Sequence, residues 1–356
     1  MPPNTKLYRP PVADESNSHQ ATLTSLAADY AARAANYQRG VDIAQAIVRK
    51  FDSKNGQQLT GVTAVDARVQ TLVKNITTAE LKADVEYLSG EATGSPLTSR
   101  HSLAKGHVDA AKWVKAKYES YGCKTVELVS FRDTYGPNVV CTIPGTDLAQ
   151  EHVVLGAHLD DRGSQFTASA RAPGANDDGS GSSMLLASLR HLKESGFRLR
   201  RTVKVVNFCG EEQGLIGSKA YAQAAKKRGD KIVFMLQGDM LAYRVPGEPL
   251  QCALPAAHAS PDASAVVSQV ARAYVPEVVV GQTSACCSDH QSFYEQGFVS
   301  TQIYERNGPI ADPFYHNKGD LARRSGYDYE QLQGLARIAL ATIVTVAEID
   351  DTVTPK

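Results

Sequence analysis

Acidic residues and histidines in this chain fall in tight groups. Gly156-Ala157-His158-Leu159-Asp160-Asp161 follows one apolar run, and Asn176-Asp177-Asp178-Gly179 sits in a loop behind it. Cys209-Gly210-Glu211-Glu212 ends a second run and Gly238-Asp239-Met240 a third. If these groups meet, His158, Asp177, Glu211, Glu212 and Asp239 share one cleft. Carboxylates brought together repel, and a bare cluster would take up protons. A divalent cation removes that problem. One histidine with several carboxylates suits zinc, with manganese or cobalt as alternatives. There are more carboxylates than one ion needs, so the set points to two ions bridged by a carboxylate. Adjacent Glu211 and Glu212 would point opposite ways on a regular strand. A bend there lets one bind metal while the other handles protons. A lone Asp after a strand is commonly a turn or helix cap, and Asp177-Asp178 stands where a cap would. Four such groups at successive strand ends are not all caps.

The elements that must position these groups are legible around them. Val153–Ala157, Val203–Phe208 and Ile232–Leu236 read as buried strands. Ser182–Lys193 carries Leu185, Leu186, Leu189 and Leu192 at helical spacing and is closed by Gly196. Strand, helix, strand at this spacing is a βαβ unit. Sites in open α/β sheets form outside the carboxyl ends of the strands, where all four groups lie. Helices are expected from Thr78, over Gly106–Tyr121 and over Tyr329–Asp350. Residues 19–50 predict one or two amphipathic helices, and residues 1–18 a polar, proline-bearing arm. The expected fold is an α/β three-layer sandwich: a mixed, mostly parallel sheet with helices on both faces, preceded by a helical extension. The expected division is an arm and extension over 1–77, a catalytic domain over 78–350 and a tail over 351–356.

Composition sets outer limits. The chain has 356 residues, 42% of them hydrophobic, so it can bury a sizeable core. Lys plus Arg and Asp plus Glu are both 38. A balanced charge argues against nucleic acid or an anionic membrane as the main partner. No run of about 18 apolar residues occurs to span a bilayer. The six cysteines are too sparse for a disulfide scaffold and lack the CxxC spacing of a zinc knuckle.

Six segments, in order over roughly residues 78–350, resemble the co-catalytic dizinc aminopeptidases, the bacterial and fungal leucyl aminopeptidase family. They are Gly156–Asp160, Pro173–Gly181, Glu211–Ser218, Gly238–Met240, Cys287–Phe293 and Tyr315–Asp320. The resemblance implies two zinc ions per chain and makes Asp177 the bridging carboxylate. His158 and Asp239 complete one ion, Glu212 and His316 the other. Glu211 becomes the general base and acid. Asp160 orients His158, Asp320 does the same for His316, and Asp178 shapes the bridging loop. A ligating imidazole needs an acceptor on its other nitrogen, which supports both pairings. The implied activity is hydrolysis of the N-terminal residue from peptides with a free N-terminus. His290 is expected in the site wall, and His19, His101, His107, His152, His191 and His258 at the surface or in the core.

The chain departs from the family pattern at one loop. Thr283 stands where secreted members carry the disulfide partner of the cysteine at Cys287, and Ala285 replaces the loop's tyrosine. The four-residue disulfide loop is therefore lost, and the tyrosine's role is either lost with it or taken by one of the candidates Tyr243, Tyr304 and Tyr315. Neighbouring Cys286 and Cys287 are expected not to bond each other, which leaves free thiols or a bond to Cys252. Met1–Lys6 has no apolar signal core, an argument for the cytoplasm; the resemblance allows secretion. The sequence assigns no oligomeric state. Two alternatives use the same fold. A glutaminyl cyclase-like acyltransferase needs a single zinc, and a non-enzymatic receptor-like domain needs neither Glu211 nor a full ligand set.

Overall fold

The computed structural model describes residues 15–51, 65–164 and 171–353. The expected arm lies, up to residue 14, outside the described residues. In chain order the helical start comprises α1 (Glu15–Phe51), α2 (Ala67–Lys74), α3 (Thr78–Leu88) and α4 (Lys105–Ser120). The sheet region follows with β1 (Thr125–Val129), β2 (Asn138–Ile143), β3 (Leu148–His158), α5 (Gly179–Ser195), β4 (Arg201–Phe208), α6 (Ile216–Arg228) and β5 (Lys231–Gly238). The remainder is β6 (Gln251–Pro255), α7 (Pro261–Tyr274), β7 (Val279–Thr283), α8 (His290–Glu295), β8 (Ser300–Ile303) and α9 (Tyr329–Ala347).

Six strands form one sheet in the order β1-β2-β4-β3-β5-β8. The β4-β3-β5-β8 part is parallel, while β1 and β2 run antiparallel at one edge. Strands β6 and β7 pair separately, in parallel. This is the mixed, mostly parallel sheet expected from the βαβ pattern. Side chains alternate between its two faces. Val153 and Leu155 join a core with α5, α7 and α9, while Val154 between them packs with Tyr221, Ala222 and Ala225 of α6 and Phe293 of α8. Helices therefore cover both faces.

Local signals explain the helix ends. Thr77 and Glu80 form a capping box at the start of α3. Gly196 closes α5 in the left-handed conformation that L side chains avoid, with φ 67°. Asp328 caps α9 by accepting the N–H groups of Glu330 and Gln331. Helix α9 ends at Ala347, three residues before the expected end.

Residues 15–51 form a single helix rather than two. Its C-terminal half lies against the sheet, where Val41, Ile43 and Ala44 join the main core with Val69, Leu72, Val73 and Ile76. Gly40 permits this approach, because a Cβ there would stand 2.6 Å from the Val233 carbonyl oxygen of β5. Asn36 Nδ2 donates to the Ile232 carbonyl at 3.0 Å. One core thus spans the expected boundary at residue 78.

The structure holds two disulfides, one of them against expectation. Cys123, just past α4, bonds Cys141 of β2 and ties that helix to the sheet edge. Cys286 bonds its neighbour Cys287, against the expectation of free thiols or a bond to Cys252. The loop after β7 accommodates the small ring, with Cys287 at φ 137°. Cys209 and Cys252 are free and buried. Among the described residues no helix is long and apolar enough to cross a membrane.

Candidate metal centre and active site

Register places the chemistry. The β3–β4 ladder ends at His158 opposite Phe208, and the β3–β5 ladder ends at Gly156 opposite Gln237. Three carboxyl ends therefore finish nearly level, with His158, Glu211-Glu212 and Asp239 following directly. Past Phe208 the chain turns at Gly210, whose φ of 78° suits glycine. That turn resolves the problem of the adjacent glutamates. Glu212 reaches the ligand cluster, and Glu211 lines the cavity beside it.

Two donor sets meet on Asp177. His158 Nε2 lies 3.1 Å from Asp177 Oδ1 and 3.5 Å from Asp239 Oδ1. His316 Nε2 lies 3.3 Å from Asp177 Oδ2 and 3.1 Å from Glu212 Oε2. Each oxygen of Asp177 thus serves a different set. Ligand atoms ~2.0–2.1 Å from one tetrahedral zinc stand roughly 3.3 Å apart, the spacing found within each set. His158 Nε2 and Glu212 Oε1 are buried without a hydrogen-bond partner. Orphaned buried acceptors of this kind call for a cation. The donors present therefore fit two divalent ions, one per set. Arg162 Nε also approaches Glu212 Oε2, at 2.9 Å.

The electrostatics describe a cluster that competes for positive charge. Burial opposes charging of His158, but Asp239, Asp160 and Asp177 overcome it and raise its pKa well above the ordinary imidazole value. Burial also opposes protonation of His316, yet hydrogen bonding to Asp177 and Glu212 lifts it to about 9. Burial would raise Asp177, but the two imidazoles hold it well below the usual carboxylate range. Glu212 is pushed up to about 7, by burial and then by Asp177. Glu211 is raised well above its ordinary value by burial, with Asp239, Glu212 and Asp289 adding to the shift against the pull of His158.

The supporting carboxylates act differently from the reading by resemblance. His158 Nδ1 lies 3.0 Å from the backbone carbonyl of Asp160 and 3.7 Å from its carboxylate. The carbonyl is thus the orienting acceptor. The Asp160 carboxylate instead accepts the backbone N–H groups of Glu211 and Glu212 and the hydroxyl of Ser102. Asp320 does not reach His316 either. Its carboxylate accepts the backbone N–H groups of Asn176, at 3.0 and 3.1 Å, and of Asp177, at 2.9 Å. In both places the carboxylate faces a row of backbone donors in a neighbouring turn and is drawn to it. Asp178 caps α5 by accepting the Gly181 N–H, and it accepts the backbone N–H of His158 at 3.1 Å.

A further set of buried polar residues was not legible in the sequence. Asn176 donates to Glu305 at 3.2 Å and to Asp312 at 3.0 Å, and Arg324 pairs with Asp312 and Asp320. Glu305 also accepts Tyr243 N–H. This network ties the bridging loop to the segment that carries His316. Asn176 sat within a recognised motif, but its partners lie far along the chain and no local pattern marks them.

The cavity beside the donors is lined by Glu211, Met240, Cys286, Cys287, Tyr304 and Tyr315, among others. Tyr304 and Tyr315 face it, whereas Tyr243 is not among its lining residues. The Tyr304 hydroxyl is buried without a hydrogen-bond partner. His290 is fully buried at the start of α8, and burial pushes its pKa down to about 3. It lies just past the loop of Cys287 and belongs to neither donor set. His107 is buried against the carbonyls of Arg100 and Pro137. His191 pairs with Glu80, and His101, His152 and His258 stand apart from the two donor sets. The side chain of His19 lies outside the described residues.

Fold and donor set together define a metallopeptidase-like α/β sandwich, and sequence comparison places it. Residues 138–343 match peptidase family M28. A leucine aminopeptidase 1 of Metarhizium robertsii is 31% identical over 281 residues, covering 73% of this chain and 68% of its own length. A probable leucine aminopeptidase of Arthroderma otae is 25% identical over 271 residues, 73% of this chain and 71% of its own. Among solved structures, LapB from Legionella pneumophila superposes with a TM-score of 0.70 at 26% identity, covering 79% of this chain and 75% of that one. A glutaminyl cyclase of Tannerella forsythia shares the fold, with a TM-score of 0.59 at 20% identity over 75% of this chain and 98% of its own. The chain belongs to peptidase family M28, and is thereby a hydrolase acting on peptide bonds.

Proposed function

We propose that this protein is a two-zinc aminopeptidase that removes the N-terminal residue from peptides. The observation that carries this reading is the division of Asp177, one oxygen toward His158 and Asp239 and the other toward His316 and Glu212. Zinc, when bound, supplies Lewis acidity that lowers the pKa of water and polarises a carbonyl. The protein residues supply the rest. His158, Asp177 and Asp239 would hold one ion and Asp177, Glu212 and His316 the other. Glu211 is the one carboxylate of the group at the cavity wall that belongs to neither set. It takes the proton of the attacking water and returns it to the leaving amine. Asp160 holds the turn that carries Glu211. The carboxylates around the donors suit a protonated α-amine, which explains a requirement for a free N-terminus. The names of the aminopeptidase relatives support the same reading.

The test pairs turnover with metal analysis on one sample. Aminoacyl-nitroanilides should be cleaved, their N-acetylated forms should not, and zinc should approach two per chain. Cleavage of both forms alike would overturn the exopeptidase assignment. One zinc per chain with cyclisation of N-terminal glutamine would favour the acyltransferase whose fold this chain shares.

A further inference from the structure

We propose that the reduced protein carries a separate site for a thiophilic divalent cation, built from Cys286, Cys287 and His258 at the rim of the active-site cavity. Both sulfurs and a ring nitrogen of His258 lie within 4.8 Å of one another, and all three residues are exposed. They come from two segments, the turn between β6 and α7 and the loop after β7. Two thiolates and an imidazole are soft donors that select zinc, cadmium or similar ions. Three protein ligands leave a fourth position for solvent. The catalytic donors, by contrast, are imidazoles and carboxylates only. A second observation gives the site its setting: Cys286 and Cys287 line the same cavity as Glu211, Asp239 and Tyr304. An ion held there would stand where a substrate side chain approaches.

In the structure the two sulfurs are bonded to each other, and in that form they are not thiolate ligands. A dithiol reductant would open the site. It gives two electrons and two protons, the Cys286–Cys287 bond breaks to two thiols, and the dithiol becomes a disulfide. Cation binding then displaces both thiol protons to solvent. The site therefore exists only in the reduced form.

The test uses the full chain and cadmium as the probe. Protein is treated with a dithiol, freed of it without air, and titrated while the ultraviolet thiolate-to-cadmium absorption is followed. The catalytic donors contain no sulfur and cannot produce this band. The band should saturate at about one cadmium per chain in reduced protein and be absent from unreduced protein. It should vanish in a Cys286→Ser, Cys287→Ser double variant, and His258→Ala should weaken binding at least about tenfold. A band of equal size in unreduced protein, or one retained in the double variant, would assign it to other cysteines and overturn the proposal. Unchanged affinity in His258→Ala would remove the third ligand and overturn the site as stated.

Discussion

The carboxylate of Asp160 accepts the backbone N–H of Glu212 at 3.2 Å, with the Glu211 N–H alongside at 3.3 Å. One buried side chain therefore sets the turn that presents both glutamates. Asp160→Asn keeps the shape but removes the charge and offers one acceptor oxygen. Activity should fall by about 10–100-fold. The loss should come with weaker zinc retention at the Glu212–His316 set, while Asp160's backbone carbonyl still serves His158. Dialysis against a graded chelator, followed by metal analysis, checks this. Full activity with normal metal retention would show that the turn holds without the charge.

Glu211→Ala removes a carboxylate that no donor set uses. Both ions should remain, and turnover should fall by about 10²–10⁴-fold. Steady-state kinetics with metal content on the same preparation decides the matter. Near-normal turnover at full occupancy would reject Glu211 as the proton carrier.

Asp177→Asn acts on both sets at once. A neutral amide cannot supply negative charge to two cations, so zinc content after dialysis should fall well below wild type. Retention of two ions would reduce Asp177 to a loop residue.

Metal removal should also register in stability. An ion that binds only the native state stabilises it by ~2.7 kcal/mol at a free concentration 100 times its Kd. Chelated protein should unfold at a lower temperature than zinc-replete protein, with the gap growing as free zinc rises. Calorimetric melting temperatures that ignore zinc would contradict the metal assignment.

A pH-dependent lock lies away from the centre. Burial would raise the Glu80 carboxyl, but hydrogen bonds from His191 and Thr77 N–H and the charge of Arg190 bring it below its ordinary value. A depressed carboxyl contributes stability above its unfolded pKa, and that contribution is lost as pH falls through the folded value. Glu80→Gln should therefore cost about 1–3 kcal/mol near neutrality. The difference from wild type should shrink as pH falls below the ordinary carboxyl range. Urea titrations at pH 7 and pH 3.5 test this, and a gap that stays constant across that range would contradict it.

Much of the centre was legible because its residues announce themselves locally. His158, Asp177, Glu211, Glu212 and Asp239 each follow an apolar run or a glycine-bearing loop, and a parallel sheet brings such ends together whatever the details of packing. His316 came only through a motif, since it sits on a long irregular segment without periodicity. The gathering of these donors into two sets follows from the level ends of β3, β4 and β5. The antiparallel strands β1 and β2 were not legible because short antiparallel segments carry little pattern of their own.

The sequence by itself determined the βαβ core, the places where acidic groups leave the strands, and the chemistry those groups can perform. These depend on residue type and short-range spacing. Only the tertiary structure decided which atom of each supporting residue is used. Asp160 turned its carboxylate to the glutamate turn and its carbonyl to His158, and Asp320 turned to Asn176 and Asp177 instead of His316. It likewise decided that Tyr304 and Tyr315 face the cavity, that Cys286 bonds Cys287, and that Gly40 lets α1 lie on β5. Each of these outcomes depends on where distant segments come to lie. A buried polar atom bonds the nearest donor or acceptor that packing delivers, and sequence spacing does not specify that distance.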